Sequence, residues 1–170
     1  MRILLPLAIA TNLLAVAAPA ATPAPRVKLQ SFEQLKQPLP LPYDEQGVGL
    51  PAVDKARARA KASGKLLLID LGGNWCLDCR ILAGTMELPD VAPWVRRHYE
   101  VVTVNVGRFD KNLDVPARYG ITQRLEGVPS LLIVDPKSNR LLNAGRTAAL
   151  ADARHMSPQG LADYLATFAR

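Results

Sequence analysis

Two cysteines stand three positions apart in the block Trp75-Cys76-Leu77-Asp78-Cys79-Arg80, and the chain of 170 residues holds only these 2. Such a pair can exchange disulfides, form a structural bridge, or supply half of a metal site. A bridge over two intervening residues constrains almost no chain, so its value as a staple is small. Zinc wants four ligands, and the only histidines, His98 and His155, form no recognisable ligand pair. Disulfide exchange fits the spacing best. At the start of a helix the first cysteine meets unpaired backbone N–H groups and the positive end of the helix dipole, which both favour a thiolate. A free thiol titrates near ~8.5, and such surroundings lower that by one to several units. The Cys76 thiolate would attack a partner disulfide, and Cys79, one helical turn on, would resolve the mixed disulfide. A spacing of three keeps both sulfurs on one face within bridging reach. The chemistry also asks that the two sulfurs sit at the helix tip where another protein can reach them.

The elements that must position this pair are legible around it. Ala52 to Ala62 is rich in Ala, Lys and Arg, suits a helix, and ends near Ser63-Gly64. Leu66 to Leu71 is a short apolar run with the length and flanks of a buried strand. Gly72-Gly73-Asn74 breaks it, and Trp75-Cys76 opens a helical stretch to about Met86. Asp90 to His98 reads as a helix, the β-branched run Val101 to Val106 as a strand, and Val115 to Tyr119 as a short helix. Ser130 to Val134 is a third strand, Asp135 to Asn139 carries turn chemistry, and Arg140 to Ala144 can return antiparallel. Residues 146–156 read as a loop. Ser157 and Pro158 suit the N-cap and first position of a last helix. The order helix, strand, helix, strand, helix, strand, strand, helix implies an α/β domain with a mixed central sheet covered on both faces.

Upstream of the domain lie two other segments. Arg2 precedes an uncharged run from Ile3 to Ala18, and Ala18-Pro19-Ala20 places small residues where a signal peptidase reads. Residues 1–20 are therefore expected to be a secretory signal peptide, with an uncleaved membrane anchor as the alternative. The run is shorter than the ~20 apolar residues that a spanning helix wants. Residues 21–50 hold Pro23, Pro25, Pro38, Pro40 and Pro42, which rule out a long helix. That stretch is expected to be an extended Pro-rich lead-in, either packed along the domain or partly loose, ahead of a domain over 51–170. Export would place the cysteines where disulfides persist, in the periplasm or secreted. The net charge is +6. Its Lys and Arg residues are scattered rather than clustered, which argues for a solvated basic surface and against a nucleic-acid partner.

With these residues in view, the sequence resembles the thioredoxin family over about residues 51–170. Four features carry the resemblance in order: Trp75-Cys76-x-x-Cys79-Arg80; Asp70, six residues before Cys76; Tyr119-Gly120-Ile121; and Gly127-Val128-Pro129-Ser130. The resemblance implies a three-layer α/β/α fold with Cys76 as nucleophile and Cys79 as resolving thiol. It implies that Asp70, a buried acid, assists proton transfer at Cys79 through water. Val128-Pro129 would be a cis peptide beside Cys76 that pairs with an extended substrate, and Trp75 an apolar wall beside the sulfurs. The less favoured alternatives are that Asp70 is only a polar strand end, Trp75 simple core and Pro129 a trans turn proline.

Several positions depart from the family pattern. Leu77-Asp78 replaces Gly-Pro between the cysteines. The Asp78 charge is expected to oppose thiolate formation and push the couple toward the reducing side, unless it points to solvent. Thr103 falls where thioredoxins often carry a lysine that partners the buried acid. Gly72-Gly73-Asn74 replaces bulkier residues, and 122–126 and 146–156 are longer than a minimal member needs. The expected activity is disulfide exchange with cysteine-containing exported proteins, with reduction or isomerisation favoured over primary oxidation. Neither a cofactor nor a metal is implied, so electrons would come from or go to another, unidentified protein. A membrane would be touched only through an uncleaved signal. The alternative is a module of the same fold that captures a partner protein or copper without turning disulfides over.

Overall fold

The computed structural model describes residues 22–169; the expected signal peptide at 1–20 lies outside the described residues. Among the described residues, no helix is long and apolar enough to cross a membrane. Strand β1 (Leu66–Gly72) runs parallel to β2 (Tyr99–Asn105) and antiparallel to β3 (Ser130–Asp135). Strand β4 (Arg140–Leu141) pairs antiparallel with β3, which gives the sheet order β2-β1-β3-β4. All seven residues of β1 are buried. That is what a continuous apolar run with helices on both faces requires.

Two apolar layers sandwich the sheet. Helices α1 (Gly49–Ser63) and α4 (Asp114–Arg118) place Val53, Ala56, Ala60 and Val115 against Leu67, Ile69, Leu71, Leu132 and Val134. Helices α2 (Leu77–Met86), α3 (Ala92–His98) and α5 (Pro158–Ala166) place Ile81, Leu82, Val95, Leu161 and Leu165 against Leu66, Leu68, Leu131 and Ile133. Alternate residues of one strand thus feed opposite layers. The result is the expected three-layer α/β/α arrangement with a mixed sheet. Gly64, at φ 72°, closes α1 in the left-handed conformation that a glycine tolerates, and its N–H bonds Ala60 O. Ser157 caps α5 by accepting from the Gly160 N–H at 3.0 Å, with Pro158 in the first turn.

Three segments differ from the sequence reading or sharpen it. β4 stops at Leu141 rather than Ala144, because the Asn143 side chain takes over the next rungs of β3. Its Oδ1 accepts from Ile133 N–H at 2.9 Å and its Nδ2 donates to Leu131 O at 2.7 Å. The 146–156 loop is ordered: it contains a 3₁₀ turn at Ala153–His155 and buries Leu150 and Ala153. Residues 22–48 contain only one short 3₁₀ turn, Phe32–Gln34, and pack along the domain. Val27, Leu35 and Leu39 join the layer of α2, α3 and α5. Tyr43 enters the opposite layer.

Because Leu35 is 4% exposed, Leu35→Ala should cost about 2–4 kcal/mol in urea unfolding. A loss below about 0.5 kcal/mol, the size of an ordinary surface change, would show that the segment is not part of the cooperative core.

Candidate active site

The β1–α2 junction builds the site. After Gly72 the chain turns, with Cys76 N–H bonded to Gly73 O at 3.0 Å, and Cys76 becomes the N-cap of α2. A cap side chain accepts from a free N–H of the first turn, a role usually taken by Ser, Thr, Asp or Asn. Here Cys76 Sγ accepts from Cys79 N–H at 3.2 Å. In its thiol form Cys76 donates to Val128 O at 3.4 Å, and the Val128–Pro129 bond that follows is cis. Trp75, 42% exposed, stands at the rim: its indole N–H donates to Gly107 O at 2.8 Å. Arg108 lies over its ring and Phe109 meets it edge-on.

Both sulfurs are expected within reach of another protein, and the structure corrects this: both cysteines are buried, Cys79 completely. Cys76 keeps 5% of its surface exposed and Cys79 none, because the turn that puts Cys76 at the tip rotates Cys79 under it, against β1. Both are thiols without a disulfide. Their protonation is driven apart. Hydrogen bonding from the Cys79 side chain, helped by the Cys79 and Asp78 backbone N–H groups, lowers Cys76 to about 7 against the cost of burial. Cys79 is pushed up, first by its hydrogen bond to Cys76 and then by burial and the Asp70 charge.

Asp70 lies on β1, fully buried. Burial, offset in part by a hydrogen bond from Tyr43 and reinforced by the Cys76 charge, raises its carboxyl to about 7. The Tyr43 hydroxyl donates to Oδ1 at 2.8 Å, while Oδ2 has no hydrogen-bond partner. Thr103, opposite Asp70 on β2, does not substitute for a charged partner; its hydroxyl donates to Pro42 O at 2.9 Å.

Asp78 corrects an expectation. It neither points to solvent nor stands as an unopposed charge beside the sulfurs. It is 4% exposed and is gripped by Arg154, whose backbone N–H donates at 2.9 Å and whose guanidinium forms an ion pair with both carboxylate oxygens. Burial would raise the Asp78 carboxyl, but the Arg154 hydrogen bonds outweigh it and hold Asp78 below its usual range. The acid still raises Cys76, with a cation now set against it.

The structure thus gathers Asp70, Cys76, Cys79 and Val128-Pro129 around one junction, with Trp75 on its rim. Sequence reasoning missed Tyr43, Asn74 and Arg154. The available signal was a vacancy: Asp70 without a charged neighbour at Thr103, and glycines where bulk was expected, imply that another side chain fills the space.

A buried strand feeding a helix whose N-cap is a low-titrating cysteine, beside a cis-proline segment, defines the class of thioredoxin-fold redox sites. The chain belongs to the thioredoxin-like family, whose pattern it matches over residues 49–136. It is similar to a solved disulphide isomerase from Xylella fastidiosa Temecula1, at 36% sequence identity and a TM-score of 0.69, covering 76% of this chain and 97% of that one. No curated protein matches the chain.

A carboxyl raised by burial has a definite pH signature. Below the ordinary value of 3.8 both folded and unfolded chains carry it neutral. Between 3.8 and about 7 the unfolded chain ionises while the folded one keeps its proton, so stability falls as pH rises across that window. Each unit of pKa is worth about 1.4 kcal/mol, so Asp70→Asn should gain on the wild type by of order 4 kcal/mol between about pH 4 and pH 8. Urea unfolding of the reduced proteins checks this; parallel pH curves would contradict it.

Proposed function

We propose that the protein is an exported thiol:disulfide oxidoreductase that exchanges disulfides with cysteine-containing exported proteins through Cys76 and Cys79. Thiol:disulfide oxidoreductase chemistry in general is supported by the family and by the likeness to a disulphide isomerase. The observation that carries the finer reading is the division between the two thiols. Cys76 is lowered to about 7 and keeps a sliver of surface, while Cys79 is raised and sealed beneath it.

The steps follow from that division. Cys76 thiolate attacks one sulfur of a substrate disulfide; the substrate S–S bond breaks, and the other substrate sulfur leaves as a thiolate. Cys79, on which the buried Asp70 carboxylate acts, then gives up its proton and attacks Cys76 Sγ. The Cys76–Cys79 bond forms, the mixed disulfide breaks, and the substrate leaves as a dithiol. Val128 borders the attacking sulfur through its carbonyl; in this reading the cis Val128-Pro129 segment seats the substrate backbone, with Trp75 as a side wall. Another protein must then reduce the pair.

Direction follows from magnitude. A strong oxidant needs a reduced form stabilised by a deeply depressed thiolate. A Cys76 near 7 is a good attacking group, since the best attacking thiol titrates near ambient pH, and a poor driver of oxidation. Reduction or isomerisation is therefore the favoured role. The signal-like segment at 1–20 supports a periplasmic or secreted location.

Insulin reduction with a dithiol donor tests the reading. The wild type should turn over, Cys76→Ser should fall to background, and the Cys76–Cys79 potential should lie toward the reducing end. A wild type without turnover that takes up one Cu(I) per chain would replace the reading with the binding module.

A further inference from the structure

The proposed exchange needs a route for the Cys79 proton, and the sealed position of Cys79 excludes bulk water from it. The group that occupies this space comes from outside the family-matched region. Residues 39–43 form a strap lashed to the active-site elements by side chains. Arg80 of α2 donates to Pro40 O at 3.1 Å and Leu39 O at 2.9 Å. Thr103 of β2 bonds Pro42 O. Asn74, two residues before Cys76, clamps the Tyr43 backbone in both directions: its Oδ1 accepts from Tyr43 N–H at 3.1 Å and its Nδ2 donates to Tyr43 O at 2.9 Å.

The strap aims the Tyr43 ring into the core, where the residue is 3% exposed. Its hydroxyl donates to Asp70 Oδ1 at 2.8 Å and stands beside the Cys79 sulfur. Gly72 explains how both contacts fit. A methyl group there would collide with the Tyr43 hydroxyl and lie 2.7 Å from Cys79 Sγ, so hydroxyl and sulfur border the space that the missing side chain leaves.

Resting on the disulfide-exchange reading, we propose that Tyr43 is the proton relay between Cys79 and Asp70, and that the N-terminal strap is thereby part of the active site. In the resolving step the Tyr43 hydroxyl passes its own proton to Asp70 Oδ1 and takes the Cys79 proton. The freed sulfur pair forms the bond to Cys76 Sγ as the substrate thiolate departs. Asp70 ends protonated, Tyr43 is unchanged, and the reverse step returns the proton. Asp70 is suited to both directions because burial raises it to about 7. The titratable groups facing it are Tyr43, Cys76 and Cys79; its strand neighbours Thr103 and Leu131 are uncharged.

Ellman's reagent separates the two steps. One thionitrobenzoate leaves when Cys76 attacks, and a second when Cys79 resolves the adduct. Tyr43→Phe keeps the ring and removes only the hydroxyl. At neutral pH its first release should stay within about twofold of wild type, and its second should slow by about a hundredfold or more, the scale of lost general-base assistance. In an Asp70→Asn background, Tyr43→Phe should add no further slowing. A second release at wild-type speed, equal slowing of both releases, or undiminished slowing in the Asp70→Asn background would each overturn the relay. A wild type with no first release would overturn the exchange reading and the relay together. If Tyr43→Phe does not fold, fluorotyrosine placed at position 43 keeps the shape and makes the hydroxyl more acidic. The pH midpoint of the second release should then move down, and an unmoved midpoint would overturn the proposal.

Discussion

A negative charge must persist on Cys76 Sγ at the edge of a sheet-helix junction whose next layer is fully buried. Burial works against that charge, and so does the acid at Asp78. Hydrogen bonds from the Cys79 side chain and from the first-turn N–H groups of α2 outweigh both, because a sulfur at the N-cap position is where those donors point. The same geometry forces the opposite outcome at Cys79, where the hydrogen bond to Cys76, burial and neighbouring charge together outweigh a single backbone donor at Gly73. One helical turn is enough to make an attacking group and a held-back group from identical side chains. Arg154 completes the balance. It allows an acid in the first turn of α2, where a carboxylate suits the helix dipole, while setting a cation against that charge.

The strap extends this constraint beyond the junction. Burying Asp70 without a charged partner is costly unless something hydrogen-bonds it, and the Tyr43 hydroxyl meets that need from a segment without regular structure. Gly72, Asn74, Arg80 and Thr103 then have a common explanation. Gly72 leaves room for the hydroxyl, and the other three bind the main chain of residues 39–43. Leu35 and Leu39 hold the same segment through apolar packing.

Much of this was legible in the sequence because the signals are local. The apolar run Leu66–Leu71, the Ser157-Pro158 start of α5 and the Gly64 end of α1 each follow from chain stereochemistry within a few residues. The Cys-x-x-Cys spacing with Asp70 upstream likewise marked the site. What stayed hidden depends on contacts between distant segments. Nothing near Tyr43 signals that its hydroxyl reaches Asp70, 27 residues away in sequence. Arg154 meets Asp78 across 76 residues. Asn143 cuts β4 short because its amide imitates a strand rung, which no propensity encodes. The lead-in prolines correctly excluded a helix, but only packing decides between a loose tail and a strap.

The central claim is that the fold drives the two thiols apart, and the pH dependence of alkylation by iodoacetamide, mapped to each cysteine by mass spectrometry, tests it most directly. The account predicts a rate midpoint near 7 for Cys76 and an unmodified Cys79 throughout the folded range. A Cys76 midpoint near ~8.5, the value of a free thiol, or a Cys79 that reacts as fast as Cys76, would contradict it.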